Sequence, residues 1–142
     1  MSATGRVSEA ALGRLVTGIA HIGIRVHDLA RSRAFYERLG FAFLAGPVGP
    51  EPVAILKHPS GAEINLILNA AKAATPNMLM DVPEKYAGYT HMALAVADVG
   101  AVEAALAEAG IALTGSRGDP AAKDAVFVRD PDGNVVELAR AG

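Results

Sequence analysis

GIAHIGIRVHDLARSRAFYERLGFAF (residues 18–43) and GYTHMALAVADVGAVEAALAEAGIAL (residues 88–113) decide the fold, because the second stretch repeats the first. His21 and His91 lead the copies. Asp28 and Asp98 each follow seven residues later, and Gly40 and Gly110 stand nineteen residues beyond their histidines. Farther on, HPSGAEINL (His58–Leu66) aligns with DPDGNVVEL (Asp130–Leu138) through Pro59/Pro131 and Gly61/Gly133, and this equates Asn65 with Glu137. A repeat of this length indicates two similar supersecondary units packed together, so equivalent residues can converge on one site. The repeat nominates four positions: His21, Asn65, His91 and Glu137.

Within each copy the hydrophobic period changes from two to helical and back. Residues 19–26 alternate as a strand, with His21, Gly23 and Arg25 on one face and Ile22, Ile24 and Val26 on the other. Asp28 is placed to cap a helix over Leu29–Leu39 that stops at Gly40, and Asp98 to cap one over Val99–Ala109 that stops at Gly110. Strands are expected at Phe41–Ala45, Val53–Lys57 and Glu63–Asn69 in the first copy. In the second they are expected at Ala112–Thr114, Ala125–Arg129 and Asn134–Ala139. The fold class is therefore α+β: two βαβββ modules, each a curled mixed sheet with one face under its helix and one face concave. Module one covers 17–70, a linker 71–88 and module two 89–140, all in one domain over 17–142 behind an N-terminal arm at 1–16. Met78–Met80, Tyr86 and Tyr89 are read for the most part as packed, with a substrate pocket or an interface as the alternatives.

Composition narrows the function. Of the 142 residues 51% are hydrophobic and 20% charged, a globular balance. The net charge of −2 offers no electrostatic case for nucleic acid or an anionic membrane. No cysteine is present, which excludes disulfides and thiolate metal sites. No apolar run nears the roughly 18 residues of a membrane span. The first residues lack a secretory pattern, and a cytoplasmic location is the expectation.

Strand alternation turns Asn65 and Glu137 toward the concave face, away from Ile64, Leu66, Val136 and Leu138. Two imidazoles, a carboxylate and an amide oxygen form a ligand set for Zn, Ni, Co, Mn or Fe(II). Each of these residues also has a bland reading as a hydrogen-bonded or solvated strand residue. Asn65 is the weakest member, and Glu63 is an alternative carboxylate on the same strand face. His27 and His58 lie in or beside turns and are read as exposed.

The stretches HIGIRVHDLARSRAFYERLGF, GYTHMALAV and FVRDPDGNVVEL resemble the vicinal oxygen chelate superfamily, which includes glyoxalase I, extradiol dioxygenases and bleomycin resistance proteins. The resemblance implies paired βαβββ modules, a homodimer and one divalent metal held by His21, His91 and Glu137. It is strongest to glyoxalase I. On that pattern Arg25 and Asn69 would bind the carboxylate end of glutathione as cosubstrate, and Glu137 would act as base on a metal-stabilised enediolate. Glyoxalase I carries a glutamate where this chain has Asn65, which leaves Glu137 as the single carboxylate. Lys123 is a further substrate-binding candidate for an anionic ligand, against the plainer reading of a solvated lysine. The same scaffold supports Fe(II) extradiol dioxygenases, epimerases, fosfomycin transferases and metal-free proteins that sequester a small molecule. The substrate class implied throughout is a small molecule.

Overall fold

A computed structural model describes residues 11–71 and 76–141; most of the arm expected over 1–16, and linker residues 72–75, lie outside the described residues. The element order is β1 (Ile22–Arg25), α1 (Leu29–Arg38), β2 (Ala42–Val48), β3 (Val53–Lys57), β4 (Glu63–Ile67), β5 (His91–Val96), α2 (Val99–Glu108), β6 (Gly115–Asp119), β7 (Ala122–Arg129) and β8 (Val135–Arg140). Two four-stranded sheets result, in the orders β1-β4-β3-β2 and β5-β8-β7-β6. In each, the first strand, which His21 precedes in module one and His91 opens in module two, runs parallel to the last, and the other pairs are antiparallel. This is the α+β two-module architecture that the repeat implies.

The helices begin and end for the expected reasons. Asp28 and Asp98 are extended N-caps whose carboxylates accept from the Arg31 and Ala101 backbone amides, satisfying donors the first turn leaves free. Gly40 and Gly110 follow the helices with φ of 96° and 75°, angles that an L side chain resists. At Gly40 the requirement is doubled, because a Cβ there would lie 2.7 Å from His58 Nε2. His58 is accordingly half-buried, edge-on to Phe41 with ring centroids 5.2 Å apart, and not the exposed turn residue expected.

Each helix covers one sheet face. Phe35 and Tyr36 of α1 and Val99 and Leu106 of α2 are buried in one hydrophobic cluster with Val26, Phe41, Leu56, Ile64 and Leu66 of module one and Met92, Val126, Val128, Val136 and Leu138 of module two. Full burial of such a side chain stabilises by about 1.5–3 kcal/mol. The opposite faces carry His21, Asn65, His91 and Glu137.

Several strand bounds differ from expectation, the sixth strand most of all. The sixth strand is Gly115–Asp119 rather than Ala112–Thr114. GSRGD is exposed throughout and carries no apolar alternation, so its pairing with β7 is set by the hairpin turn at 120–121 rather than by burial. Thr114 enters the sheet only through hydrogen bonds of its amide and hydroxyl to the Phe127 carbonyl. Tyr86 and Tyr89 lie outside both sheets and stay exposed, Tyr89 at 99%.

The modules join through α1 and the DPDG turn. Tyr36 donates to Asp130 Oδ2 at 2.8 Å in the interior. Asp130 also accepts from the Asp132 and Asn134 backbone amides and from Asn134 Nδ2. Asp132 receives Ser32 Oγ, Arg31 Nη2 and the His27 amide near the start of α1. The linker is tied to the same turn, Asn77 donating to the Gly133 carbonyl and Asp81 pairing with Arg129 at 2.8 Å.

Candidate functional site

Glu137 is a carboxylate that the fold buries: its side chain is 7% exposed on the concave face of β8. A buried charge must be paired or its cost falls on stability. Here both oxygens are paired. His91 Nε2 lies 2.9 Å from Oε1, and Arg117 Nη1 lies 2.7 Å from Oε2. On the other side of the imidazole, Thr90 Oγ1 is 2.8 Å from Nδ1. A threonine hydroxyl donates or accepts, so it holds the ring in either tautomer while Nε2 stays aimed at Glu137. Phe127, register partner of Glu137, stands edge-on to His91 with centroids 6.1 Å apart.

Sheet register explains the pairing. His91 is opposite Val135, so its partner Glu137 lies one step farther along the same face, opposite Ala93. The small Ala93 leaves the diagonal open.

The first module is built alike and filled differently. Asn65 stands opposite Gly23 and Ile55. Its Oδ1 is buried without a hydrogen-bond partner. A buried orphan acceptor is rare in a folded chain and marks a place where a donor or cation fits. His21 does not turn to Asn65; its Nδ1 lies 3.9 Å from Glu63 Oε2. Arg25 and Asn69 do come together, Arg25 Nε donating to Asn69 Oδ1 at 2.9 Å. Both also reach Glu51 Oε1, at 3.0 Å from Arg25 Nη2 and 3.1 Å from Asn69 Nδ2. The Asn69 amide and the Arg25 guanidinium hold the Glu51 carboxyl below its usual value. The resident partner of Arg25 is therefore Glu51.

Lys123 stands elsewhere. Alternation from Phe127 and Ala125 would place it on the Glu137 face, but the β6–β7 pairing slips between Arg117 and Gly118, leaving Asp124 as an extra residue. That bulge reverses the alternation, and Lys123 Nζ bonds Glu103 of α2 at 2.9 Å.

The candidate donors are thus divided between the two modules. Metal–ligand bonds of about 2.0–2.2 Å let one ion reach both His91 Nε2 and Glu137 Oε1, whose separation is 2.9 Å. The orphan Asn65 Oδ1 suits the same role. Among the described residues no three His, Cys, Asp or Glu side chains converge, so His21 and the His91–Glu137 pair are not gathered into a single ligand cluster. Between the modules, a cavity of about 200 Å³ is lined by Gly23, Arg25, Asn77, Tyr89, His91 and Asn134.

Sequence reasoning missed Arg117 and Glu51. Arg117 lies on the strand without apolar alternation, and Glu51 in a Gly- and Pro-rich turn, so neither had a face to be assigned to.

The comparisons accord with this geometry. Residues 18–138 match the Glyoxalase/Bleomycin resistance protein/Dioxygenase superfamily. A glyoxalase family protein from Enterococcus faecalis is 30% identical with a TM-score of 0.70, covering 87% of this chain and 98% of that one. Lactoylglutathione lyase from Agrobacterium tumefaciens shares the fold at 18% identity and a TM-score of 0.63, over 89% of this chain and 96% of its own. TnmS3, an antibiotic binding protein from Streptomyces sp. CB03234, does so at 23% and 0.64, over 90% and 98%. No curated protein matches. Two capped βαβββ modules and a family match that spans most of the chain give one conclusion: this protein belongs to the glyoxalase/bleomycin resistance protein/dioxygenase superfamily.

Proposed function

We propose that the chain is a divalent-metal-dependent lyase or isomerase of the glyoxalase I kind. It would move a proton between adjacent carbons of a small substrate such as the adduct of an α-ketoaldehyde with a thiol. The observation that carries this reading is the buried Glu137 carboxylate facing His91 Nε2 at 2.9 Å on the concave face of β8. His91 and Glu137 would hold the ion from module two, with His21 and the orphan Asn65 oxygen from module one; a homodimer is one way to bring the halves together. Bound there, Zn, Ni, Co, Mn or Fe(II) would act as a Lewis acid on two neighbouring substrate oxygens. Glu137 would accept the proton from one carbon and return it to the next, its position fixed by β8. The burial that excludes water from Glu137 also strengthens its interactions with charge developing nearby.

Glu51 bears on the cosubstrate. It already occupies Arg25 and Asn69, so glutathione would have to displace a resident carboxylate there.

A second reading rests on Arg117. A guanidinium 2.7 Å from Glu137 neutralises the carboxylate without a metal, as suits a small-molecule-binding protein. Assay with methylglyoxal and glutathione, after loading each of the five metals, separates the two. Thioester formation supports the lyase. Tight metal binding with no turnover on any α-ketoaldehyde–thiol adduct would remove the lyase assignment, and absence of metal binding would favour the second reading.

A further inference from the structure

Arg117 has no place in the ligand set, yet it makes the shortest contact to Glu137. Its side chain is 55% exposed, and among the described residues its hydrogen bonding is limited to Nη1, on Glu137 Oε2. A guanidinium carries five N–H donors in a planar fork. The remaining donors, on the exposed guanidinium rather than the buried carboxylate, are therefore free to meet a ligand that approaches Arg117 from solvent. The register partners are uncharged: Glu137 has Ala93 and Phe127 as sheet neighbours, and Arg117 is registered with Ala125, which is opposite Ala139.

Charge decides when this fork can bind an anion. In the ion-free chain Arg117 and Glu137 cancel, and an incoming anion meets attraction and repulsion at similar distances. A divalent cation shared by His91 and Glu137 would leave the cluster with a net charge of about +2, counting Arg117 and Glu137 as unit charges and His91 as neutral. We infer that Arg117 is an anion-binding specificity residue of the Glu137 site: it neutralises the carboxylate in the ion-free chain and, once a divalent cation is bound, takes a carboxylate, sulfate or phosphate-like group of the substrate. This rests on the metal-dependent reading above. Two consequences follow from it. Arg117 weakens cation binding by repulsion, and an anion that engages Arg117 relieves that repulsion, so anion and cation strengthen each other's binding by the same factor.

The test is calorimetric titration of Mn²⁺ into the full chain with and without sulfate, at constant ionic strength, for wild type, Arg117→Gln and Arg117→Lys. Wild type is expected to bind Mn²⁺ several-fold more tightly with sulfate present. Arg117→Gln should bind Mn²⁺ about tenfold more tightly than wild type without sulfate and lose most of the sulfate effect. Arg117→Lys keeps the charge but not the fork, and should retain wild-type Mn²⁺ affinity with a reduced sulfate effect. Equal Mn²⁺ affinity and equal sulfate response in wild type and Arg117→Gln would overturn the inference while leaving the metal site standing. No Mn²⁺ binding by any of the three would instead remove the reading on which it rests.

Discussion

Modules one and two are the same object made twice, and they differ where chemistry is done. Each has a capped helix, a parallel first and last strand, and a histidine at the head of the first. In module two the histidine meets a carboxylate set one step along the face, Glu137, which is buried. In module one the matching position holds an amide, and His21 lies instead near Glu63, whose side chain is 24% exposed. A duplicated scaffold thus keeps backbone and caps in common while its cleft-facing residues diverge freely, because those residues carry little of the core. The core is on the other face.

The sharpest way to break the comparison is to remove both carboxylates in turn. Glu137→Gln is expected to lower turnover by about 10²–10⁴-fold, the range for loss of a general base. Glu63→Gln should leave turnover within a few-fold of wild type. Equal losses in the two variants would mean that the modules share the base.

The second difference concerns stability. Tyr36 is fully buried and spans the module junction by its bond to Asp130, whereas the centre of α2 rests on Leu106. Tyr36→Ala should destabilise by about 3–5 kcal/mol, as for other large aromatic truncations, and lower the melting temperature of both modules together. Separate melting of the two modules in the wild type would contradict that coupling.

Asn65→Glu restores symmetry between the modules. It should tighten divalent-ion binding about tenfold, since a carboxylate adds charge where the amide oxygen has no partner. Unchanged affinity in calorimetry would place Asn65 outside the ligand set.

The smallest effect is alkaline. Burial first, then the neighbouring Asp130 carboxylate, holds the Tyr36 phenol well above its ordinary value. Its unfolded value is about 10, so the unfolded chain releases this proton at lower pH than the folded one. Stability is therefore intact below about pH 10 and declines as pH rises beyond it. Denaturant melts between pH 9 and 11 should show this decline in wild type and a flatter profile in Tyr36→Phe; identical slopes would refute the assignment.

Much of this was legible in the chain because its signals are local. Asp28, Gly40, Asp98 and Gly110 mark helix ends by their own chemistry, and alternation around Glu137 gives its face. What escaped depends on contacts distant in sequence or on strands without apolar pattern. Arg117 sits on GSRGD, a strand defined by its partner alone. Lys123 was turned away by a bulge that no hydrophobic pattern records. Glu51 reaches Arg25 across 26 residues from a turn, and Tyr36 reaches Asp130 across 94. The pairing of His21 with Glu63 rather than Asn65 is likewise a choice between two neighbours on one strand face, which spacing alone leaves open.

The central claim is that the two modules jointly hold one divalent ion. Its most direct test is metal stoichiometry and affinity for wild type, His21→Ala and His91→Ala, measured by elemental analysis and calorimetry with Mn, Co, Ni and Zn. One ion per chain, with affinity falling at least tenfold in each single variant, is the predicted result. An ion retained at wild-type affinity in either variant, or no ion bound by the wild type under any loading, would contradict it.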